Sequence, residues 1–181
     1  MKSLYLVLCL SVFLAFGGGS PALAQTSIGV VDIQKVLADS LAGQSIQKQV
    51  DERRKTFQAE FSKIEQELRE SQKTLAEKQS ALSKEDFAAQ RQEFEQKRVE
   101  TLGLVQKRKA SLDGAFTKAI KKLEKEVMTI ISAIATEKKY DLVLSKSNVF
   151  ISNDSLDISS QVTEKLNASI SAVQVEIEGA P

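Results

Sequence analysis

Between Asp32 and Tyr140 the sequence contains no proline and only three glycines, Gly43, Gly103 and Gly114. The other residues of this stretch are mostly Gln, Glu, Lys, Arg, Ala and Leu, which favour helices. Apolar residues recur at intervals of three and four, the spacing of a helix that packs along one face. The stretch therefore predicts long amphipathic helices as the main structure of the chain.

The helical pattern is interrupted once, around residues 80–86. Ser83 and Asp86 have the spacing of a capping box, with Asp in place of the usual Glu. The sequence therefore predicts two helices, 44–82 and 84–139, which form an antiparallel hairpin with its tip near residue 83. At 1.5 Å per residue, the second helix outruns the first by about 25 Å.

The contact line between the two helices, here called the seam, is apolar mainly at the end away from the tip. In the second helix it is fully apolar from Leu112 onward, whereas Arg91, Arg98 and Lys109 interrupt it nearer the tip. Leu102 is also expected on the seam. Because the surplus end of the second helix is its most apolar part, we expect another element to cover it.

Short elements are predicted on both sides of the hairpin, and together they define a small body. Strands are expected at 28–33, 141–144 and 148–151. Asp32 is expected to cap a short helix that ends near Gly43. A short amphipathic helix with Ile158, Val162 and Leu166 on one face is expected to follow, capped by Asp157 or Ser159.

These elements divide the chain into a signal peptide, a discontinuous body, a hairpin and a tail. The predicted boundaries are 1–24 for the signal peptide, 25–43 and 122–170 for the body, 44–121 for the hairpin, and 171–181 for a flexible tail. The body has too little sheet to close a core alone. We therefore expect several chains to associate, so that their strands and apolar helix ends bury one another.

The first 24 residues have the three parts of a secretory signal peptide. Lys2 supplies a positive start, Leu4 to Phe16 forms a short apolar run, and Ala22-Leu23-Ala24 fits the small-residue cleavage rule. The apolar run is too short to cross a bilayer, which takes about 20 residues. We expect cleavage between Ala24 and Gln25, and export to the periplasm.

The composition of the chain after residue 24 excludes several classes of protein. Removing Lys2 from 25 basic and 24 acidic residues leaves 24 of each, so the net charge is zero, and neither Cys nor His remains. Common zinc, haem and iron–sulfur sites and the usual hydrolase triads are therefore excluded. A neutral chain also argues against nucleic-acid binding. No polar cluster indicates a carboxylate-based active site, so we expect no enzyme and no cofactor.

The order of these elements, with Ile28-Gly-Val-Val-Asp-Ile33, Tyr140-Asp-Leu-Val-Leu144 and Leu156-Asp-Ile-Ser159, resembles the Skp (OmpH-like) periplasmic chaperone family of Gram-negative bacteria. The resemblance implies a mainly α jellyfish-like homotrimer, in which a small β-rich body carries three helical hairpins as tentacles around a cavity. It also implies that unfolded outer-membrane β-barrel proteins are held in that cavity without ATP. Some members are basic and linked to lipopolysaccharide, so contact with a membrane or lipopolysaccharide surface is kept as an open partner of this neutral chain, with no residue assigned to it.

Two sets of residues are assigned on this basis. Trimerisation in the body is assigned to Val30, Leu123, Val127, Ile130, Ile134, Leu142, Leu144 and Phe150. Client contact on the hairpin is assigned to two apolar residues off the seam, Val99 and Leu104, and to the basic residues Arg91, Lys97, Arg98, Lys107 and Arg108. The alternative is that the apolar pair and the basic cluster are ordinary solvated surface.

A different function is also compatible with the hairpin. A structural or adaptor coiled coil of the cell envelope, which never binds an unfolded chain, has the same helical pattern. It does not account for the Val- and Ile-rich strands at both ends of the helical region.

Overall fold

The computed structural model describes residues 26–177. The predicted signal peptide and its cleavage site lie outside the described residues, as do residues 178–181 of the predicted tail. Within the described range the chain forms two strands and four α-helices.

The two long helices form the predicted antiparallel hairpin. Helix α2 spans Leu41–Lys78 and helix α3 spans Lys84–Lys138, so at 1.5 Å per residue they are about 57 and 82 Å long. The Ser83 hydroxyl oxygen accepts from the backbone N–H of Asp86 at 3.0 Å and donates to the Asp86 carboxylate at 2.7 Å. The Ser83 cap that the sequence predicts is therefore confirmed, but the Asp86 carboxylate binds the Ser83 hydroxyl and not the Ser83 backbone N–H that a full capping box engages. Lys139 caps the end of α3, and its backbone is left-handed with φ of 55°.

Two parallel strands, one before the hairpin and one after it, pair with each other in the body. Strand β1, Ile28–Val31, pairs with β2, Leu142–Ser145, in the register Ile28 to Leu142. The predicted third strand at 148–151 is wrong. A 3-10 turn at Lys146–Asn148 is followed by residues with no strand partner in the described chain. These residues project from the body, so no strand of the same chain reaches them.

Two short helices complete the body. Helix α1 spans Ile33–Asp39, and the Asp32 carboxylate caps it by accepting from the Lys35 N–H at 3.0 Å. Helix α4 spans Ser159–Ser169. Together they cover the apolar end of α3 that α2 does not reach, which confirms the expectation that another element covers it. Leu123, Val127 and Ile134 are fully buried there.

Helix α1 ends earlier than the sequence predicts, because Ser40 rather than Gly43 marks the junction. Ser40 is fully buried, and its hydroxyl accepts from the Gly43 N–H at 3.1 Å and donates to the Leu37 carbonyl at 3.1 Å. Gly43 thus lies in the first turn of α2. A Cβ atom there would be 1.7 Å from the Leu37 carbonyl oxygen, so the close approach of the two helices requires glycine.

The segment after α4 contacts the first turns of α2. The Gln49 side chain donates to the Val173 carbonyl at 2.8 Å and accepts from the Val175 N–H at 3.0 Å. Val173 is buried in the core. Residues 171–177, which the sequence assigns to a flexible tail, therefore have contacts with the body.

Candidate functional site

The hairpin helices pack tightly only at the root, the end next to the body. The last buried residue of α2 is Val50, and the first of α3 is Leu112. Between Asp51 and Ser111, a range that the structure describes in full, no residue is buried. We call this range the arm. With so few buried apolar contacts, the arm is expected to be locally less stable than the body.

The seam of the arm is half-buried. Phe61, Leu68 and Phe94 occupy it, in agreement with the heptad spacing of the sequence. Leu102 does not: it is 57% exposed. Thr101, seven residues after Phe94, is half-buried in its place, because a seven-residue step keeps to the seam whereas a step of eight leaves it. The seam prediction for Leu102 is therefore wrong.

Arg108 is part of the seam rather than a free basic residue. Its guanidinium lies 4.9 Å from the ring centroid of Phe57 and 5.9 Å from that of Phe61, and it forms an ion pair with Glu60 across the hairpin. Its side chain is only about one-fifth exposed. Arg108 thus links α2 to α3, and its assignment to client contact has no support in this geometry.

Two other basic residues of the candidate client set are also paired within the hairpin. Lys97 lies 3.8 Å from the Glu67 carboxylate of α2, and Arg98 lies 2.9 Å from the Glu95 carboxylate one turn away. Both pairs are about half exposed to solvent, where such pairs contribute little to stability. Their charges are therefore largely balanced locally.

Arg91 and Lys107 are exposed on α3. Arg91 lines a shallow surface depression with Phe87 and Glu95. Both basic groups therefore lie at the surface, and Lys107 does not line the depression that contains Arg91.

Val99 and Leu104 are exposed as predicted, but they do not share a face. Val99 is 61% exposed and Leu104 is 37% exposed. Five positions on a helix correspond to about 140° of rotation. Leu102 is three positions from Val99 and therefore only about 60° away around the helix, so these two residues share a face. The sequence assigned Leu102 to the seam, so this exposed pair was missed.

Most residues assigned to trimerisation lie in the core of a single chain. Val30, Leu123, Val127, Ile130 and Ile134 are all buried by other elements of the same chain. A side chain that is already buried in one protomer has little surface left for a second. The assignment of these five residues to a subunit contact therefore has no support in this geometry.

The remaining three assigned residues lie on or after the outer strand. Leu142 of β2 is 46% exposed, Leu144 is half-buried, and Phe150 is fully exposed together with its neighbour Ile151. The sequence assigned 148–151 to a strand without naming Ile151 as a contact residue. The run of consecutive apolar residues that contains Phe150 and Ile151 is the sequence signal that could have added Ile151 to the assigned set.

The outer edge of β2 is open in the described chain. Strand β1 pairs with β2 on one side and forms a bridge from Val30 to Asp157 on the other. Strand β2 has β1 as its only strand partner among residues 26–177. An exposed strand edge is a template for pairing with another chain.

Asp157 connects three parts of the body. Its carboxylate accepts from the Ser159 N–H at 2.8 Å and from the Lys146 ammonium at 2.9 Å. Ser159 in turn accepts from the Asp32 N–H at 2.8 Å. Hydrogen bonds from the Ser159 side chain and backbone, and then from Lys146, lower the pKa of Asp157 from 3.8 to about 2. The network holds the start of α4 and the 146–148 turn against the end of β1.

This network predicts acid sensitivity of the body. A carboxylate whose folded-state pKa is lowered stabilises the fold above about pH 4, and loses that contribution as the pH falls toward 2. We expect Asp157→Asn to lower the urea midpoint at pH 6 and to approach the wild type at pH 2. Urea titrations followed by circular dichroism measure this. A difference between the two proteins that stays constant down to pH 2 would contradict the assignment.

Two features are absent from residues 26–177. No group of three or more His, Cys, Asp or Glu side chains in that range is placed to hold a metal ion. No helix there is both long and apolar enough to span a membrane.

Comparison with known proteins places this geometry among related chains. Residues 27–166 match the sequence model of a family described as outer membrane protein (OmpH-like). The fold is similar to the crystal structure of a candidate outer membrane chaperone (OmpH-like) from Caulobacter crescentus CB15. The TM-score is 0.81 at 19% identity, covering 91% of this chain and 98% of the other. At that identity the likeness shows the fold alone. No curated protein matches the sequence.

Proposed function

Because the chain belongs to the OmpH-like family of outer membrane proteins, as its motifs predict, we propose that it is an ATP-independent holdase chaperone of the periplasm. Its clients are unfolded outer-membrane β-barrel proteins. Membership of this family supports the chaperone role. We propose the client class, the holding mechanism and the periplasmic location in addition. We also propose that the chain has no catalytic activity and that residues 1–24 direct its export.

One observation carries the proposal: the arm has no buried residue from Asp51 to Ser111, while the root is firmly packed. An arm held by a half-buried seam and exposed ion pairs can bend at low cost. Its surface mixes apolar side chains such as Val99 and Leu102 with balanced charges such as Lys97 and Glu67. A client held by many weak contacts stays bound because later contacts are intramolecular, and it leaves without an energy source.

We propose that the protein assembles as a homotrimer through the open edge of β2 and the exposed residues that follow it. Leu142, Phe150 and Ile151 are the apolar groups available there. Pairing of residues 149–151 with the sheet of a second chain would satisfy the edge and cover these side chains. Three hairpins carried by one body would then surround a cavity. The division into body, 25–43 and 122–170, and hairpin, 44–121, is retained as part of this proposal, whereas residues 171–177 pack on the body and are not a free tail.

Replacement of Phe150 by Asp tests the assembly surface. We expect the variant to fold, because Phe150 is fully exposed in a single chain, but to lose assembly, because a charge would enter the apolar contact. Sedimentation velocity gives the mass and circular dichroism the helix content. Leu102→Asp, a change at an exposed apolar residue of the arm, is the matched control and should leave the mass unchanged. A Phe150→Asp variant with wild-type mass would contradict the proposal.

The chaperone function is tested by diluting a urea-unfolded outer-membrane barrel protein into buffer containing the exported chain without nucleotide. We expect light scattering from client aggregates to fall to near zero at about one trimer per client. A cytosolic unfolded protein of similar size serves as a second client. Undiminished aggregation of the barrel protein would favour the structural coiled coil, which shares the hairpin and binds no client.

A further inference from the structure

A groove lies where the hairpin root meets α1. It has a volume of about 810 Å³, and its floor is apolar: Leu37 and Ala38 of α1, and Phe116 and Ile120 of α3. Phe116 and Ile120 are four positions apart, so they lie on one face of the helix. A concave apolar floor of this size is in the range of ligand-binding clefts.

The rim of the groove is polar and electrically balanced. Lys48 and Lys55 lie along α2 with Asp51 and Glu52, so two positive and two negative side chains line the same side of the groove. Amide side chains, Gln47 among them, complete the rim. An occupant with a net charge gains nothing from such a rim, whereas a neutral peptide backbone can hydrogen-bond to amides and to either charge.

The length of the groove fits an extended chain. It follows α2 from Gly43 to Lys55, a rise of about 18 Å at 1.5 Å per residue. An extended strand advances about 3.3 Å per residue and points alternate side chains to the same side. About five residues therefore fit, with every second side chain on the apolar floor and the others toward the polar rim.

We infer that this groove is a binding site for a short extended segment of an unfolded client whose apolar and polar side chains alternate. The inference rests on the proposed chaperone function and adds a defined contact at the root to the diffuse contacts of the arm. Strands of outer-membrane barrels have that alternation. A standard stable protein–protein contact buries roughly 800 Å² on each partner, and permanent subunit contacts bury more. A groove about five residues long with a charged rim is short for that role and suited to reversible binding.

The first test places a photo-crosslinking amino acid in the groove of the full exported chain. Gln47 is exposed on the rim, and Arg53 is an exposed control six positions away, about 120° round the helix. The probe is a urea-unfolded outer-membrane barrel protein. We expect crosslinks from position 47 to barrel strand segments, with roughly tenfold lower yield from position 53. Equal yields, or crosslinks from position 47 mainly to a second copy of this chain, would overturn the inference.

The second test fills the groove without disturbing the core. Ala38 is an exposed residue on the floor, and Ala110 is an exposed residue of α3 outside the groove. We expect Ala38→Trp to weaken binding of the fluorescently labelled barrel protein roughly tenfold, the loss of about one buried apolar side chain. Ala110→Trp should bind as the wild type does. Unchanged affinity of Ala38→Trp would overturn the inference while aggregation suppression by the wild type still supported the chaperone function. If the wild type suppressed no aggregation, the function and the inference would fail together.

Discussion

Gly43→Ala is expected to destabilise the body by roughly 3 kcal/mol or more, in the upper range for overpacking. The added Cβ would lie 1.7 Å from the Leu37 carbonyl oxygen and 2.9 Å from its carbon. Both are backbone atoms, so no side-chain rotation relieves the clash and α1 must move away from α2. Urea unfolding of the exported chain measures the change in the free energy of unfolding.

The other helical glycines provide a matched control for that experiment. A Cβ added at Gly103 or at Gly114 meets nothing within 4 Å. Because glycine in a helix interior costs roughly 0.5–1 kcal/mol relative to alanine, Gly114→Ala is expected to be slightly more stable than the wild type. If Gly43→Ala behaved like Gly114→Ala, the close contact between α1 and α2 would be refuted.

Val127→Asp is expected to unfold the body instead of releasing folded monomers. Val127 is fully buried in the core beside Leu123 and Ile134 of the same helix. An unpaired carboxylate there costs several kcal/mol, which is comparable to the whole stability of a domain. Circular dichroism and sedimentation velocity together distinguish an unfolded chain from a folded monomer.

Met128 provides the control at the neighbouring position. It is 56% exposed, so Met128→Asp should leave the helix content and the unfolding midpoint nearly unchanged. A folded monomer of Val127→Asp would show that the residue lies between subunits, as the sequence first suggested, and would contradict its burial within one chain.

Local signals in the sequence were sufficient for the hairpin and for the cap at its tip, but not for the Ser40 cap of α2 or the Lys139 cap of α3. Helix-forming composition without proline, together with the hydroxyl of Ser83 and the carboxylate of Asp86, determines where α3 begins. The same holds for Asp32 at the start of α1. These features depend on residues within one or two turns of each other, so a single sequence contains the information.

The errors arose where the outcome depends on distant parts of the chain. The apolar residues at 149–151 favour a strand, but no strand of the same chain lies beside them. The apolar end of α3 suggested a subunit contact, because the sequence does not reveal that α1 and α4 fold back over Leu123 and Val127. Gly43 resembled a helix end, whereas its role is set by the Leu37 carbonyl of another helix.

In the candidate site, too, features set by nearby residues were predicted and features set by distant residues were not. Exposure of Val99 and Leu104 was predicted correctly, because both lie off the heptad positions. The partners of Arg108 were not predicted, since Phe57 and Glu60 reach it only once the hairpin has closed in a particular register. The groove at the root combines residues of three helices, and no local pattern indicates it.

The register of the sheet also determines the order in which the protein can fold. Ile28 pairs with Leu142, and closing a loop of that length costs entropy that a two-stranded sheet does not repay. When the hairpin forms, starting from contacts close in sequence near its tip, it brings its two ends together. This shortens the distance that remains to be closed between β1 and β2. We therefore expect the β1–β2 amides to become protected last in pulse-labelled hydrogen exchange during refolding, and a chain cut short before residue 142 to keep its helices but not its body.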